Sequence, residues 1–335
     1  MRTGDPFGVL AFLHWNHDWN NFYFDDATRR RALAQLEELG VSFVRTDILW
    51  SDVDRGIGKF DFSAYESWLP LLRHHHLEPL ILLHYNKERT GPDGVRWNKP
   101  PSSFEEFAGF VSAAVRRFKS DVSHWEIWNE PNHKVYWDAP DDGLSSYCRL
   151  LKLSRQAAKA EDPSCLVLNG GLTGPVVEDV GRFYARGGKD LTDVLNIHTF
   201  VDPLSPERKQ TFDRLVAGSR AVMEKHGDAA KKIWITEMGC PGIPPGRPPQ
   251  TWFSGRAMSE QQQADFLDEQ YDWLADHPYV EKLFWAFHRD TDGEFNDATD
   301  HFGLVRFDLT PKPSFARYAD RIRAYRARGT KVFEK

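Results

Sequence analysis

The sequence predicts an α/β fold, a single (β/α)8 TIM barrel spanning residues 1–335. Three observations lead there. Short apolar runs of β-branched and aromatic residues alternate with helical patterns along the chain, which requires parallel strands joined by helical crossovers. About eight such units can be counted, enough to close a barrel. The first turn, His14-Trp15-Asn16-His17-Asp18-Trp19, holds no glycine, whereas an open nucleotide-binding sheet carries a Gly-rich phosphate turn there.

Taken in order, Gly8 to Trp15 is the first strand and Asp26 to Leu39 the first helix, with Leu33, Leu36 and Leu39 at helical spacing and Gly40 as the stop. Val41 to Ile48 is the second strand. Asp61 to His76 reads as a helix with Tyr65, Trp68, Leu69 and Leu72 on one face. Pro79 to Tyr85 is strand three, followed by a polar loop and a helix from Ser103 to Phe118. Strand four, Val122 to Trp128, ends in Asn129-Glu130-Pro131, where Pro131 cannot donate a ladder hydrogen bond. A helix from Ser145 to Ala160 leads to strand five, Cys165 to Asn169, which enters Gly170-Gly171. A weak helix near Glu178 to Arg186, strand six from Val194 to Phe200 and a helix from Glu207 to His226 follow. Strand seven, Ile233 to Thr236, runs into Glu237. Cys240 to Gly255 has the composition of a linker but falls inside a strand–helix unit, so it reads as an active-site loop. Ser259 with Gln262 forms a capping box for the next helix. Tyr279 to Phe287 is strand eight, and Ser314 to Arg328 the final helix.

Forty-nine acidic against 43 basic residues give a formal charge of −6, so nothing electrostatic favours nucleic acid or an anionic membrane as partner. No apolar stretch is long enough for a membrane span. The N-terminus, MRTGDPFGVLAFLHW, lacks the pattern of a signal peptide. A cytoplasmic location is expected; a secreted protein whose signal had been removed would read the same. Cys148, Cys165 and Cys240 are too few and too scattered for a disulfide framework or a metal site, and read as core residues.

The carboxyl ends of barrel strands share one rim. Here they carry His14 and Trp15, Arg45 and Asp47, His84 and Tyr85, Asn129 and Glu130, Asn169, His198, Glu237, and Trp285 with His288. Two glutamates at two strand ends are the candidate acid and nucleophile of a glycosidase. Taken alone, each could instead be a salt-bridged rim residue.

WEIWNEPN (Trp125 to Asn132) followed by ITEMG (Ile235 to Gly239) resembles the retaining glycoside hydrolases of clan A. Within the clan, VRTDILWSDVDRGIGKFDFSAY from Val44, FWAFHRD from Phe284 and HFGLVRFDLTPKPSFARYA from His301 resemble the family 39 group of β-xylosidases and bacterial polysaccharide endoglycosidases. The resemblance spans nearly the whole chain. It implies a retaining β-glycosidase that needs no cofactor and no metal and takes an oligo- or polysaccharide as partner, with Glu130 as acid/base and Glu237 as nucleophile. A retaining enzyme needs its two carboxyls about 5–5.5 Å apart, one protonated and one ionised, and like-charge repulsion across that gap is expected to keep one protonated. By the same resemblance Arg45 holds Glu237 ionised, with Glu126 as its alternative partner. Asn129 bonds the sugar 2-hydroxyl, His84 and His198 line the site as neutral groups, and Trp285 forms the floor under the cleaved sugar. Trp137, Trp252 and Phe253 are candidate platforms beyond the scissile bond, or packing anchors.

One position departs from the clan. His-x-Tyr is frequent on strand six, and here the triplet is His198-Thr199-Phe200, so the hydroxyl that usually supports the nucleophile is missing; either Tyr85 or His198 compensates or the nucleophile is held less firmly. That gap motivates a second reading, a carbohydrate-binding pseudoenzyme on the same barrel. A metal-dependent hydrolase is a third, but His14 and His17 lack the His-x-His spacing. The acidic loop Asp290 to Asp300 lacks the spacing of a calcium loop. No segment corresponds to the accessory β-sandwich of many family 39 xylosidases, which favours an open groove and endo cleavage.

Overall fold

The computed structural model describes residues 5–17, 25–247, 252–253, 258–295 and 297–330. The first four residues and parts of the turn after strand one and of the Cys240–Gly255 loop lie outside them. Among the described residues eight strands form a parallel sheet: β1 (Phe7–Leu10), β2 (Phe43–Leu49), β3 (Glu78–His84), β4 (His124–Ile127), β5 (Leu166–Asn169), β6 (Leu195–His198), β7 (Ile233–Met238) and β8 (Val280–Ala286). They hydrogen-bond in the order β5-β4-β3-β2-β1-β8-β7-β6. Parallel bridges Leu168–Val194 and Leu172–Ile197 join β5 to β6 and close the ring. The result is the (β/α)8 barrel expected.

Strand periodicity decides what faces where. At the amino-terminal end the barrel is filled by Phe43, Leu80, Leu168, Val194, Trp234 and Phe284, which form one cluster. Gly8 contributes no side chain there because a Cβ would sit 2.5 Å from the Phe284 ring. The opposite parity, including Val44, Ile81, Trp125, Val167, Ile197, Ile235, Leu283 and Trp285, packs outward against the helices. Farther toward the carboxyl ends the inward positions turn polar: Arg45, Asp47, His84, Glu126, Asn196, His198 and Thr236 are all buried.

The helices begin and end where capping chemistry places them. Asp25 accepts from Thr28 N, and Gly40 closes that helix, Asp26–Leu39, at φ 85°. Ser103 caps Phe104–Phe118, and Ser259 and Gln262 make the reciprocal capping box of Glu260–Leu274. The stretch Asp61 to His76 is not the continuous helix its periodicity suggests. It forms two single turns, Ser63–Glu66 and Leu71–His74, on either side of Pro70, which has no amide proton to continue the ladder. The three cysteines are free and buried. No helix among the described residues is long and apolar enough to cross a membrane.

Candidate active site

Two backbone irregularities deliver the glutamates to the mouth. After β4, Trp128 and Glu130 adopt positive φ (67° and 44°), which costs a non-glycine residue energy that the surrounding packing must hold. Trp128 is thereby buried against Trp137 (4.8 Å between ring centroids), while Asn129 and Glu130 line the cleft. On β7 the register slips: Ile197 of β6 opposes Ile235, but His198 opposes Glu237. Leu283 of β8 opposes Ile235 while Trp285 opposes Met238. This bulge lets two successive residues reach inward. Thr236 bonds His198 inside the barrel, and Glu237 bonds Arg45.

Arg45 is fully buried and serves three partners. Its Nε and Nη2 donate to the two oxygens of Glu126 at 2.7 and 2.8 Å. Nη1 donates to Glu237 Oε1 at 2.5 Å, and Nη2 also reaches Asn129 Oδ1 at 3.1 Å. Both expected partners of Arg45 are therefore engaged at once. Asn129, its oxygen taken, is left with Nδ2 for a ligand. Although burial alone disfavours the cation, the two carboxylates beside it keep the guanidinium charged and raise its pKa.

Glu130 sits in a different environment. Its Oε1 lies 2.8 Å from His198 Nδ1. Burial pushes its carboxyl up to about 7. Burial, rather than the mutual repulsion expected from the sequence, is the largest cause; the nearby Arg45 and His133 oppose it. His198 is itself fully buried, which lowers its pKa to about 4 and keeps the ring neutral. The ring fits because residue 171 is glycine: a Cβ there would stand 2.0 Å from His198 Nε2. Atoms of Glu130, His198 and Glu237 lie within 4.8 Å of one another. Such a trio could in principle close on a cation, but the Arg45 guanidinium already bonded to Glu237 repels one. An acid–base pair suits the arrangement better than a metal centre.

The cleft over these groups encloses about 830 Å³, toward the upper end of the roughly 300–1,000 Å³ of small-ligand sites. Its walls are aromatic: Phe12 and Trp15 after β1, Tyr85 and Trp97 after β3, Tyr136 after β4, and Trp252, Phe287 and Phe302 opposite. Arg89, His133, Glu294 and Asp297 supply charged or titratable groups at its edge.

Three residues expected in the site stand elsewhere. Trp285 does not floor the cleft. Its parity on β8 turns it outward, where it is fully buried and donates to Phe302 O at 2.9 Å. The aromatic that lines the cleft from this strand is Phe287, after a cis Ala286–Phe287 peptide. Trp137 is a packing anchor between Trp128 and Tyr147, with Nε1 on Ser146 Oγ; its neighbour Tyr136 faces the cleft instead. His84 lies beneath the cleft rather than along it. Its Nε2 and the Trp15 indole both meet Asp47 Oδ2, at 2.8 and 2.6 Å, and its ring backs Tyr85 at 4.0 Å. Burial lowers the His84 pKa, which favours the neutral ring. Trp252 does line the cleft, while Phe253 meets it edge to face at 4.3 Å and is 59% exposed. The place of the absent strand-six tyrosine is taken up otherwise. Phe200 lines the cleft, Arg45 bonds Glu237 directly, and His198 Nδ1 stands 3.7 Å from Glu237 Oε2. In the acidic loop, Asp290 is bonded to Lys312 and Asp300 accepts from Phe295 N.

The fold is thus a closed (β/α)8 barrel with a pair of glutamates at the carboxyl ends of β4 and β7. Residues 97–305, more than half of the chain, match the sequence model of the glycosyl hydrolase catalytic core family, and the chain belongs to that family. Among curated proteins it is similar to Beta-glucosidase 40 of Arabidopsis thaliana, 26% identical over 197 residues, 56% of this chain and 38% of that one. It is also similar to Aryl-phospho-beta-D-glucosidase BglC of Bacillus subtilis (strain 168), 24% identical over 120 residues, 31% of this chain and 23% of that one. The chain thus spans well under half the length of these two relatives. Among solved structures, a family 39 glycoside hydrolase from Bacteroides cellulosilyticus WH2 shares the fold with a TM-score of 0.71 at 22% identity, covering 95% of this chain and 64% of that one. A monomeric beta-xylosidase from Caulobacter crescentus CB15 does so at 0.69 and 18%, covering 94% and 67%.

Proposed function

We propose that this protein hydrolyses β-glycosidic bonds of an oligo- or polysaccharide with retention of configuration, Glu237 acting as nucleophile and Glu130 as acid/base. One observation carries the reading: two carboxyls approach within 4.8 Å in opposite environments. Glu237 is bonded to a buried guanidinium, while Glu130 is buried against a neutral imidazole. The spacing suits a retaining pair; inverting pairs stand about 6.5–9.5 Å apart to admit a water.

In the first step a Glu237 oxygen attacks the anomeric carbon. The bond from that carbon to the glycosidic oxygen breaks, and its electron pair is captured by the proton of Glu130. In the second, water attacks the same carbon and gives its proton to Glu130, and the bond to Glu237 breaks. Each step uses protein groups and water alone. Asn129 Nδ2 is placed to bond the sugar 2-hydroxyl, an interaction that strengthens in the transition state. The relatives include a β-glucosidase and a β-xylosidase, which makes β-glucosides and β-xylosides the first substrates to try. The pseudoenzyme reading loses its motive, since Arg45 holds the Glu237 carboxylate without a tyrosine.

The deciding experiment is trapping. Incubation with 2-deoxy-2-fluoro β-glucosyl and β-xylosyl donors carrying good leaving groups should add one sugar mass to the peptide containing Glu237. No adduct across such a panel, or an adduct on another residue, would falsify the assignment. The acid role carries its own signature. Glu130 must be protonated to donate, and its pKa is raised to about 7. The value of kcat/KM should therefore hold below pH 7 on this account and fall as pH rises through it, following the loss of the proton. A profile flat to pH 9 would exclude Glu130 as the acid.

A further inference from the structure

The hydrogen bonds behind His198 determine which of its ring nitrogens carries the proton, and the chain can be followed from its far end. Asn196 Nδ2 donates to Asn169 O at 3.1 Å, and Asn196 N donates to Asn169 Oδ1 at 2.9 Å. Asn169 Nδ2 donates to the carbonyls of Gly170 and Asn196, each at 2.8 Å. Both amides are thus oriented by backbone groups, and Asn196 Oδ1 is left to accept. The Thr236 hydroxyl donates to it at 2.8 Å. A hydroxyl has one proton; with that proton committed, Thr236 Oγ1 can only accept from His198 Nε2, 3.0 Å away. A neutral imidazole protonated at Nε2 has a bare lone pair at Nδ1. That lone pair faces Glu130 Oε1 at 2.8 Å. Asn169, Asn196, His198 and Thr236 are all fully buried, and the His198 ring occupies the space that a Cβ at position 171 would need.

We propose that Thr236 and Asn196 are positioning residues for the acid/base: through His198 they present an unprotonated Nδ1 to Glu130 and so hold the proton on its carboxyl. The proposal rests on Glu130 being the acid/base. An Nδ1 proton would favour the carboxylate, leaving no acid for the departing oxygen; the lone pair favours the acid form. Other elements also act on Glu130. Arg45 from β2 and His133 from its own loop favour ionisation, as does a hydroxyl contact from Thr173 after β5. Burial and Glu126 from β4 favour the proton. Tyr85 after β3 and Tyr136 sense the charges of both Glu130 and Glu237. Against this mixed field the His198 lone pair is a short-range contribution on the protonated side. In the second half-reaction the same lone pair makes the Glu130 carboxylate a stronger base toward water. His198 itself exchanges no proton in either step.

Thr236→Val keeps the shape of the side chain and removes the acceptor. His198 is then free to carry its proton at Nδ1 and donate to Glu130. The alkaline limb of kcat/KM should move to lower pH by about one unit. Turnover of an alkyl β-glycoside, which needs the acid, should fall about tenfold more than turnover of a dinitrophenyl β-glycoside, which does not. Thr236→Ser should restore both. Equal losses on the two substrates, or an unmoved limb, would overturn the proposal and leave Thr236 a packing residue. Nitrogen-15 NMR of His198 in the unsubstituted protein tests the same point without a variant. The proposal requires protonated Nε2 and bare Nδ1 at neutral pH, and the opposite tautomer or an imidazolium overturns it. Should no glycoside be turned over, the acid role of Glu130 fails instead, and the tautomer is still read from the NMR.

Discussion

Glu237→Ala should reduce hydrolysis of β-glycosides by about four orders of magnitude or more, the scale seen when a covalent nucleophile is removed. Without the carboxylate nothing attacks the anomeric carbon, and the truncated side chain leaves room for a small anion. Azide supplied at high concentration, with an activated aryl glycoside, should restore part of the rate and yield the α-glycosyl azide, because it attacks from the side Glu237 occupied. The fold should survive. Arg45 retains its two bonds to Glu126 and its bond to Asn129, and Glu237 is the one carboxylate of this network open to the cleft, with 13% of its side chain exposed. Unchanged turnover, or a β-configured azide product, would remove Glu237 from the nucleophile role. Loss of activity together with collapse of the melting temperature would show that the residue holds the barrel rather than the chemistry.

Much of this site could be read from the chain because barrel strands have apolar bodies and polar carboxyl ends. Asn129-Glu130-Pro131 breaks a strand at a carboxylate, and Glu237 follows a run of β-branched residues; neither pattern needs tertiary information. Side-chain orientation is less legible. Trp285 and Trp137 are large aromatics one or two residues from Phe287 and Tyr136, and choosing between neighbours requires the strand parity and the positive-φ turn at Trp128. The parity on β8 is partly legible, since Phe284 and Ala286 alternate with Trp285, but the register against β7 shifts between Leu283 and Trp285. His84 shows another limit. A histidine at a strand end can bond a ligand or the neighbouring strand, and only the Asp47 carboxylate at 2.8 Å decides. The support chain through Thr236 and Asn196 went unremarked for the same reason. Both are polar residues at inward positions of apolar strands, which is a signal, but their partners come from other strands. Pro70 carried its own message, and the helical periodicity of Tyr65 to Leu72 outweighed it wrongly.

Arg45→Met should cost about 3–5 kcal/mol of stability, the penalty for removing one partner of a buried ion pair. Glu126 has no exposure and accepts two hydrogen bonds from Arg45 and one longer bond from Gly171 N at 3.3 Å. With the guanidinium gone, its charge has no buried counterpart and must take up a proton or draw in water. Replacing both members by apolar residues of similar size, Arg45→Met with Glu126→Leu, removes the stranded charge and should recover most of the lost stability. Activity should not return with it. Glu237 would still lack its donor at 2.5 Å and Asn129 its orienting contact at 3.1 Å; loss of one preorganised donor costs about a hundredfold or more in kcat. Urea unfolding of the two variants, set beside their kcat, separates the two duties of this arginine. If the double variant were both stable and fully active, Arg45 would be a structural member of the barrel interior. If it stayed as unstable as the single variant, the Arg45–Glu126 pair would be stabilising beyond what an apolar replacement supplies. The expected outcome, a recovered fold with a disabled site, would place one side chain in the interior packing and at the nucleophile at once, and would explain why a guanidinium is kept inside the barrel.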